Sequence, residues 1–251
     1  MTILPAIVPG RVISDLRELD RRTGGPDGAQ RLCWDDGWRE ARSLLSELLG
    51  EIGLTAKADA AGNLWASLQG DLEPALALGS HLDSVPDGGW LDGALGVMAA
   101  LDLLRAWSEA GARPPRTLTL VDWADEEGAR FGRSLFGSSA FAGTLDPDAV
   151  RDLRDRQGRR LADVLAENGV DLDFAPEAAT REGRLAAYLE LHIEQGPVLE
   201  TEGLRAAAVS GCAGVERHRF RLSGQTSHAG TTPMDSRHDA GLAAAELALR
   251  V

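Results

Sequence analysis

After Pro74 the chain passes from an apolar run, Ala75-Leu76-Ala77-Leu78, into a glycine-rich stretch, GSHLDSVPDGGWLDG (residues 79–93), that carries His81, Asp83, Asp87 and Asp92. The run is short and bounded by Pro74 and Gly79, the pattern of a buried strand. Side chains two apart on an extended backbone share a face, which puts His81 and Asp83 together. A carboxylate beside an imidazole is the arrangement that fixes the tautomer and orientation of a metal-binding histidine. Asp92 directly precedes an apolar-periodic segment, where it either caps a helix or bridges two cations. Standing alone, the stretch is equally a strand end, a turn and a helix cap with no chemistry.

Two further apolar runs end in the same kind of residue. TLTLVDW (117–123) leads into Asp125-Glu126-Glu127, and LAAYLELHI (185–193) carries His192 and runs into Glu194-Gln195-Gly196-Pro197. In open α/β sheets ligands bind at the carboxyl ends of strands, so three runs finishing this way converge on one site. Separately, each would pass for a solvated glutamate pair or a lone satisfied histidine. Histidine with carboxylate and no cysteine suits zinc, manganese, cobalt or nickel. Two histidines, Asp92 and a glutamate can hold two divalent ions if Asp92 bridges them, the two-metal arrangement for hydrolysis. Neighbouring Glu126 and Glu127 point apart at a strand end, so one can bind metal while the other accepts a proton from the attacking water. Spacing leaves open which does which.

Around these runs, Val12, Ile13, Leu16 and Leu19, then Trp38, Ala41, Leu45, Leu48 and Ile52, recur at helical spacing and predict helices over 11–22 and 34–52. Gly53 ends the second. Residues 54–68 read as two short strands about the turn DAAGN, with Trp65 in the core, and 94–107 as a helix. Residues 146–184 read as mixed helix and surface loop, ERHRFRL (216–222) alternates as a strand, and 240–249 opens a helix. The 251 residues, 43% hydrophobic and 26% charged, suit one or two globular domains. A net charge of −13 without a basic block argues against nucleic acid or an anionic membrane as partner. No apolar run approaches the ~20 residues of a membrane span, and the N-terminus has no basic leader. Cys33 and Cys212 stand in no metal-type spacing and imply no disulfide framework, which fits a reducing cytoplasm.

Four segments, GSHLDSVPDGGWLDGALGV, DEEGARFGRSLFGSSAFAG, LELHIEQGPVLE and SHAGTTPMDSRHDA, resemble the M20-type metallohydrolases. The EQGPVLE and HAGTTPM forms resemble the hydantoinase/carbamoylase amidase branch: N-carbamoyl-L-amino acid hydrolases, allantoate amidohydrolases and β-ureidopropionases. The resemblance runs in order from about residue 11 to the end. It implies a zinc-peptidase-like α/β catalytic domain, a mixed sheet flanked by helices, over residues 1–209. It also implies the start of an inserted α/β lid that dimerises, over 210–251, with a hinge near 209–214. His81 and His192 would hold one metal, Asp92 would bridge to the second, and Glu127 would bind the second. Glu126 would be the general acid/base and Asp83 would orient His81. Gln195 would contact substrate, and His228, from the lid, would stabilise the oxyanion across a dimer interface.

The implied function is cleavage of the carbamoyl or ureido C–N bond of an N-carbamoyl-L-amino acid, allantoate or a similar small ureido acid by metal-activated water. The metals would be zinc or manganese, with cobalt or nickel as alternatives, in a cytoplasmic homodimer. The rival activity is that of an M20 peptidase or aminoacylase acting on ordinary amides. Members of the family continue further and return to the catalytic domain with the last histidine on the second metal. The chain therefore reads as C-terminally truncated, and a non-catalytic metal-binding or association module is the third expectation.

Overall fold

In the computed structural model, which describes residues 4–212, 214 and 218–250, Pro9 opens the first helix, α1 (Pro9–Thr23). Proline suits that position because its missing N–H is one a helix start leaves unpaired anyway. α1 buries Val12, Leu16 and Leu19, and α2 (Asp36–Gly50) buries Trp38, Ala41, Leu44, Leu45 and Leu49. With α3 (Ala94–Glu109) these faces enclose a core shared with Ala66, Leu82 and Leu120 from the sheet side. Leu48 and Ile52, predicted inside, are only partly buried, because the stripe of α2 is centred on Leu45 and Leu49.

The sheet has five strands in the order β1-β2-β4-β3-β5: β1 (Lys57–Ala58), β2 (Leu64–Leu68), β3 (Ala75–His81), β4 (Leu118–Trp123) and β5 (Leu185–Leu189). β1–β2 and β2–β4 are antiparallel, whereas β3 lies parallel between β4 and β5. α3 makes the crossover that a parallel β3–β4 pair requires. The sheet is mixed and helix-flanked, as expected. Because β3, β4 and β5 run the same way, the residues that follow them emerge at one edge; His81 is level with Trp123.

β4 is buried along its whole length. Leu120 belongs to the helical core, while Val121 and Trp123 pack on the opposite side with Trp65 and Phe141. A second core gathers α4 (Phe136–Phe141), α5 (Pro147–Val150), α6 (Leu161–Glu167) and the 3₁₀ helix Ala175–Arg184 around Trp34 and Trp38. β5 stops at Leu189, short of the predicted 193. Beyond it, side chains replace the ladder: Glu190 accepts from the Ser80 hydroxyl and, at 2.8 Å, from the Tyr188 hydroxyl.

The backbone separates into two compact units, Met1–Gly196 and Pro197–Val251. The second contains α7 (Val198–Thr201), a 3₁₀ turn (Met234–Ser236) and α8 (Ala240–Ala248), whose Asp239 caps Gly241 N–H at 2.8 Å. The strand expected over 216–222 is not found: Glu216 and Arg217 lie outside the described residues, and 218–222 form no strand. Alternation supplies a face, but a strand also needs a partner for its backbone groups.

Candidate metal centre

His81 is the last residue of β3 and is buried. Its Nδ1 lies 3.0 Å from the carbonyl oxygen of Asp83 and 3.4 Å from the Asp83 carboxylate, so Asp83 meets the ring through backbone as well as side chain. The carboxylate's own partners are the backbone N–H groups of Glu126, at 3.3 Å, and Glu127, at 3.1 Å. One buried side chain thereby ties the exit of β3 to the exit of β4.

The residue between His81 and Asp83 is anchored at both of its peptide groups. Leu82 N–H donates to Asp122 Oδ1 at 2.8 Å, and Leu82 O accepts from Arg31 Nε at 2.7 Å. Arg31 also exchanges backbone bonds with Ser84, at 3.1 Å to its hydroxyl and 3.0 Å from its N–H. Asp122 in turn takes Arg42 Nε at 2.6 Å, and that guanidinium sits 3.9 Å over the Trp38 ring. Removing Asp122 strands a partly buried cation and a buried amide. Asp122→Ala is therefore expected to lower unfolding free energy by about 3–5 kcal/mol, measured by urea denaturation. A loss below about 1 kcal/mol would show that this ion pair does not hold the strand.

Asp92 does not cap α3: Gly93 is the N-cap and makes no side-chain cap bond. The Asp92 carboxylate turns instead to the histidines, with Oδ1 3.2 Å from His192 Nε2 and 4.0 Å from His81 Nε2. Its Oδ2 accepts from Gln195 Nε2 at 2.6 Å. Gly93, at φ 62°, is the place where glycine is required, since a Cβ there would stand 2.5 Å from His81 Cε1 and Nδ1. His192 Nδ1 lies 2.8 Å from Ile193 O, and the two imidazole centroids are 6.1 Å apart.

This donor set fits a metal. A carbonyl oxygen only accepts, so both Nδ1 atoms facing carbonyls carry their protons and leave Nε2 to supply the lone pair. Asp92 Oδ1 is buried with no hydrogen-bond partner. Ligand atoms of His81, Asp92 and His192 all lie within 4.8 Å of one another. Two imidazole nitrogens and a carboxylate oxygen with no other use match zinc and related divalent ions.

At the exit of β4, Asp125 takes a left-handed φ of 53°, which turns the amides of Glu126 and Glu127 toward Asp83. Asn63 Oδ1 holds the preceding Ala124 N–H at 3.0 Å. Glu126 Oε2 stands 3.6 Å from His81 Nε2. Burial raises the pKa of Glu126; His81 opposes it, and Asp83, Glu190 and Asp92 add to it. Glu127 is raised in the same way, by burial first, against His81 and with Asp92 and Glu126. For His81, burial disfavours the charged ring, but Asp83 and Glu126 outweigh it and push its pKa up to about 10, so in the metal-free protein Nε2 also holds a proton, and its lone pair becomes free only when a metal ion displaces that proton. So much negative charge around one imidazole suits a cation.

Tertiary structure also brings Cys33 near Asp83 and Asp125, which the spacing of the cysteines did not suggest. Burial raises the Cys33 thiol well above its usual range, so it stays a protonated thiol and a poor ligand. Cys33 and Cys212 are both free. Glu190, Arg31 and Asp122 were not singled out from sequence. Glu190 had a signal, lying two residues before His192, and so did Asp122, a carboxylate inside an otherwise apolar run. Arg31 had none. His228 is exposed in the Pro197–Val251 unit. Among the described residues no helix is long and apolar enough to cross a membrane.

Residues 77–250 match the profile of Peptidase family M20/M25/M40. The chain is 41% identical over 237 residues to an N-carbamoyl-L-amino acid amidohydrolase of Geobacillus stearothermophilus, covering 94% of this chain and 57% of that protein. It is 37% identical over 217 residues to the allantoate amidohydrolase of Escherichia coli K12, covering 84% and 52%. The crystal structure of a hydantoinase/carbamoylase family amidase from Burkholderia ambifaria superposes with a TM-score of 0.73 at 32% identity, over 98% of this chain and 60% of that one. The chain thus spans little more than half the length of the curated relatives it matches. On the profile match and on these relatives, the chain belongs to peptidase family M20/M25/M40 and groups within it with the hydantoinase/carbamoylase amidases.

Proposed function

We propose that this chain is the metal-binding part of an amidohydrolase that cleaves the C–N bond of a carbamoyl or ureido group in an N-carbamoyl-L-amino acid, allantoate or a related small ureido acid. The observation that carries the reading is the convergence of His81, Asp92 and His192, with Glu126 Oε2 3.6 Å from His81 Nε2. His81 and His192 would hold one divalent ion, Asp92 would bridge to a second, and Glu127 would hold the second. Zinc or manganese, and equally cobalt or nickel, are compatible with these donors. When bound, such ions supply polarisation of the carbamoyl carbonyl and a lowered pKa for the attacking water.

Glu126 accepts the water's proton at Oε2 and passes it to the leaving nitrogen. The burial that raises its pKa suits a group that must hold a proton between the two steps. Asp83 keeps the His81 and Glu126 segments in register. Gln195 steadies Asp92 at 2.6 Å, and that bond also places its amide where a substrate at Asp92 would meet it. His228 is assigned to the developing oxyanion on the strength of its HAGTTPM motif. Residues 1–209 form the catalytic portion and 210–251 begin the lid of a cytoplasmic homodimer. Any further metal and substrate contacts would belong to the part of the relatives' length that this chain does not span.

A substrate panel tests the reading. Ammonia released from N-carbamoyl amino acids or from allantoate supports it and tells the two apart. Cleavage confined to dipeptides or N-acyl amino acids would move the protein to the peptidase or aminoacylase reading instead.

A further inference from the structure

We propose that Arg237 is a positioning residue, which clamps the turn carrying His228 so that the imidazole is held with Nδ1 as acceptor and Nε2–H as the outward donor. The inference rests on the reading above only in giving that donor a substrate oxygen to meet.

Arg237 is partly buried and donates to three carbonyls of one turn. Its Nη2 reaches Ala229 O at 2.6 Å and His228 O at 3.3 Å, and its Nε reaches Thr232 O at 3.0 Å. The turn is closed further out by Gln225 N–H, which donates to His238 O at 2.8 Å. Inside it, Gly230 N–H and Thr231 N–H point at His228 Nδ1, at 3.0 and 3.1 Å. An N–H only donates, so Nδ1 is the acceptor and the neutral ring carries its proton on Nε2.

The link between the two sets of bonds is covalent. Ala229 C=O and Gly230 N–H belong to one planar peptide, with the two groups on opposite sides. When Arg237 fixes that carbonyl, it fixes the direction of the N–H that receives the ring. A guanidinium fork can serve several carbonyls at set angles, which a lysine ammonium on a flexible stem does not.

Hydrogen exchange at the Gly230 and Thr231 amides, with long-range proton–nitrogen correlation of the His228 ring, reads the arrangement in the 251-residue chain. His228→Gln assigns the ring signals. The expected result is an Nε2-protonated ring and slow exchange at both amides. In Arg237→Gln both amides should exchange about tenfold faster, the equivalent of about one hydrogen bond, with exchange in α8 unchanged. Arg237→Lys should recover only part of the protection. Unchanged exchange in Arg237→Gln overturns the proposal. So does a proton on Nδ1 in the unaltered chain, a result that needs no variant to fold. None of these readouts involves turnover: an enzyme indifferent to His228→Gln would lose His228 from its reaction, while exchange would still decide the clamp.

Discussion

Glu126→Gln is expected to lower turnover by about 10²–10⁴-fold, the usual contribution of a general base, while the metal content stays unchanged. The substitution keeps the size of the side chain and removes only its ability to take a proton. The backbone N–H of Glu126 bonds to Asp83, so the link between the two strand exits survives. Glu126 is also outside the trio of His81, Asp92 and His192, whose atoms converge without it. Ammonia release by the purified enzyme and elemental analysis of the same preparation check both halves. Unaltered turnover would end the assignment of Glu126 as base. Lost metal would exchange the roles of Glu126 and Glu127.

Asp92→Ala is expected to take the bound metal from about two ions per chain, as in a two-metal hydrolase, to about one or fewer. The metal is counted by elemental analysis after exchange into metal-free buffer. Asp92 Oδ1 faces both Nε2 atoms, 3.2 Å from that of His192 and 4.0 Å from that of His81, and no hydrogen bond occupies it. The substitution also removes the 2.6 Å bond from Gln195 Nε2 to Oδ2, so the metal-free protein should lose no more than about 1 kcal/mol in urea, the worth of one hydrogen bond, while the main loss appears in metal content. Equal metal in Asp92→Ala and the unaltered chain would show that the histidines bind without a bridge. The unaltered chain is the reference: about two ions would mean that the second site finds its ligands within these 251 residues.

The two expectations draw on different parts of the structure. Glu126 depends on the left-handed turn at Asp125, and Asp92 on the close approach of Gly93 to the His81 ring. A methyl group at Gly93 would occupy the place of the imidazole edge, so the ligand and the helix start behind it cannot be separated. This is why the candidate ligands sit where an apolar segment meets a glycine-rich one.

Much of this was legible in the chain itself. Apolar runs at 75–78, 117–123 and 185–189 are strands, and the residues beyond their ends are those that meet at one edge of the sheet. The spacing of leucines and alanines located α1, α2 and α3. Burial patterns of this kind are local, since a side chain's face follows from its own position in a helix or strand.

Other features waited for the tertiary structure. Asp92 could have been a cap or a bridge, and only the arrival of His192 beside it settled its direction. Asp83 proved to hold two amides of β4's exit as well as His81, and Asp122 and Arg31 proved to hold Leu82. Alternation at 218–222 produced no strand, and β5 gave up its ladder after Leu189. Periodicity in the sequence determined which faces are buried and which strand ends carry the candidate ligands. The partner of each buried polar group was decided by the tertiary fold, because that partner comes from elements tens of residues away, and a hydrogen bond is satisfied by geometry that no local pattern contains.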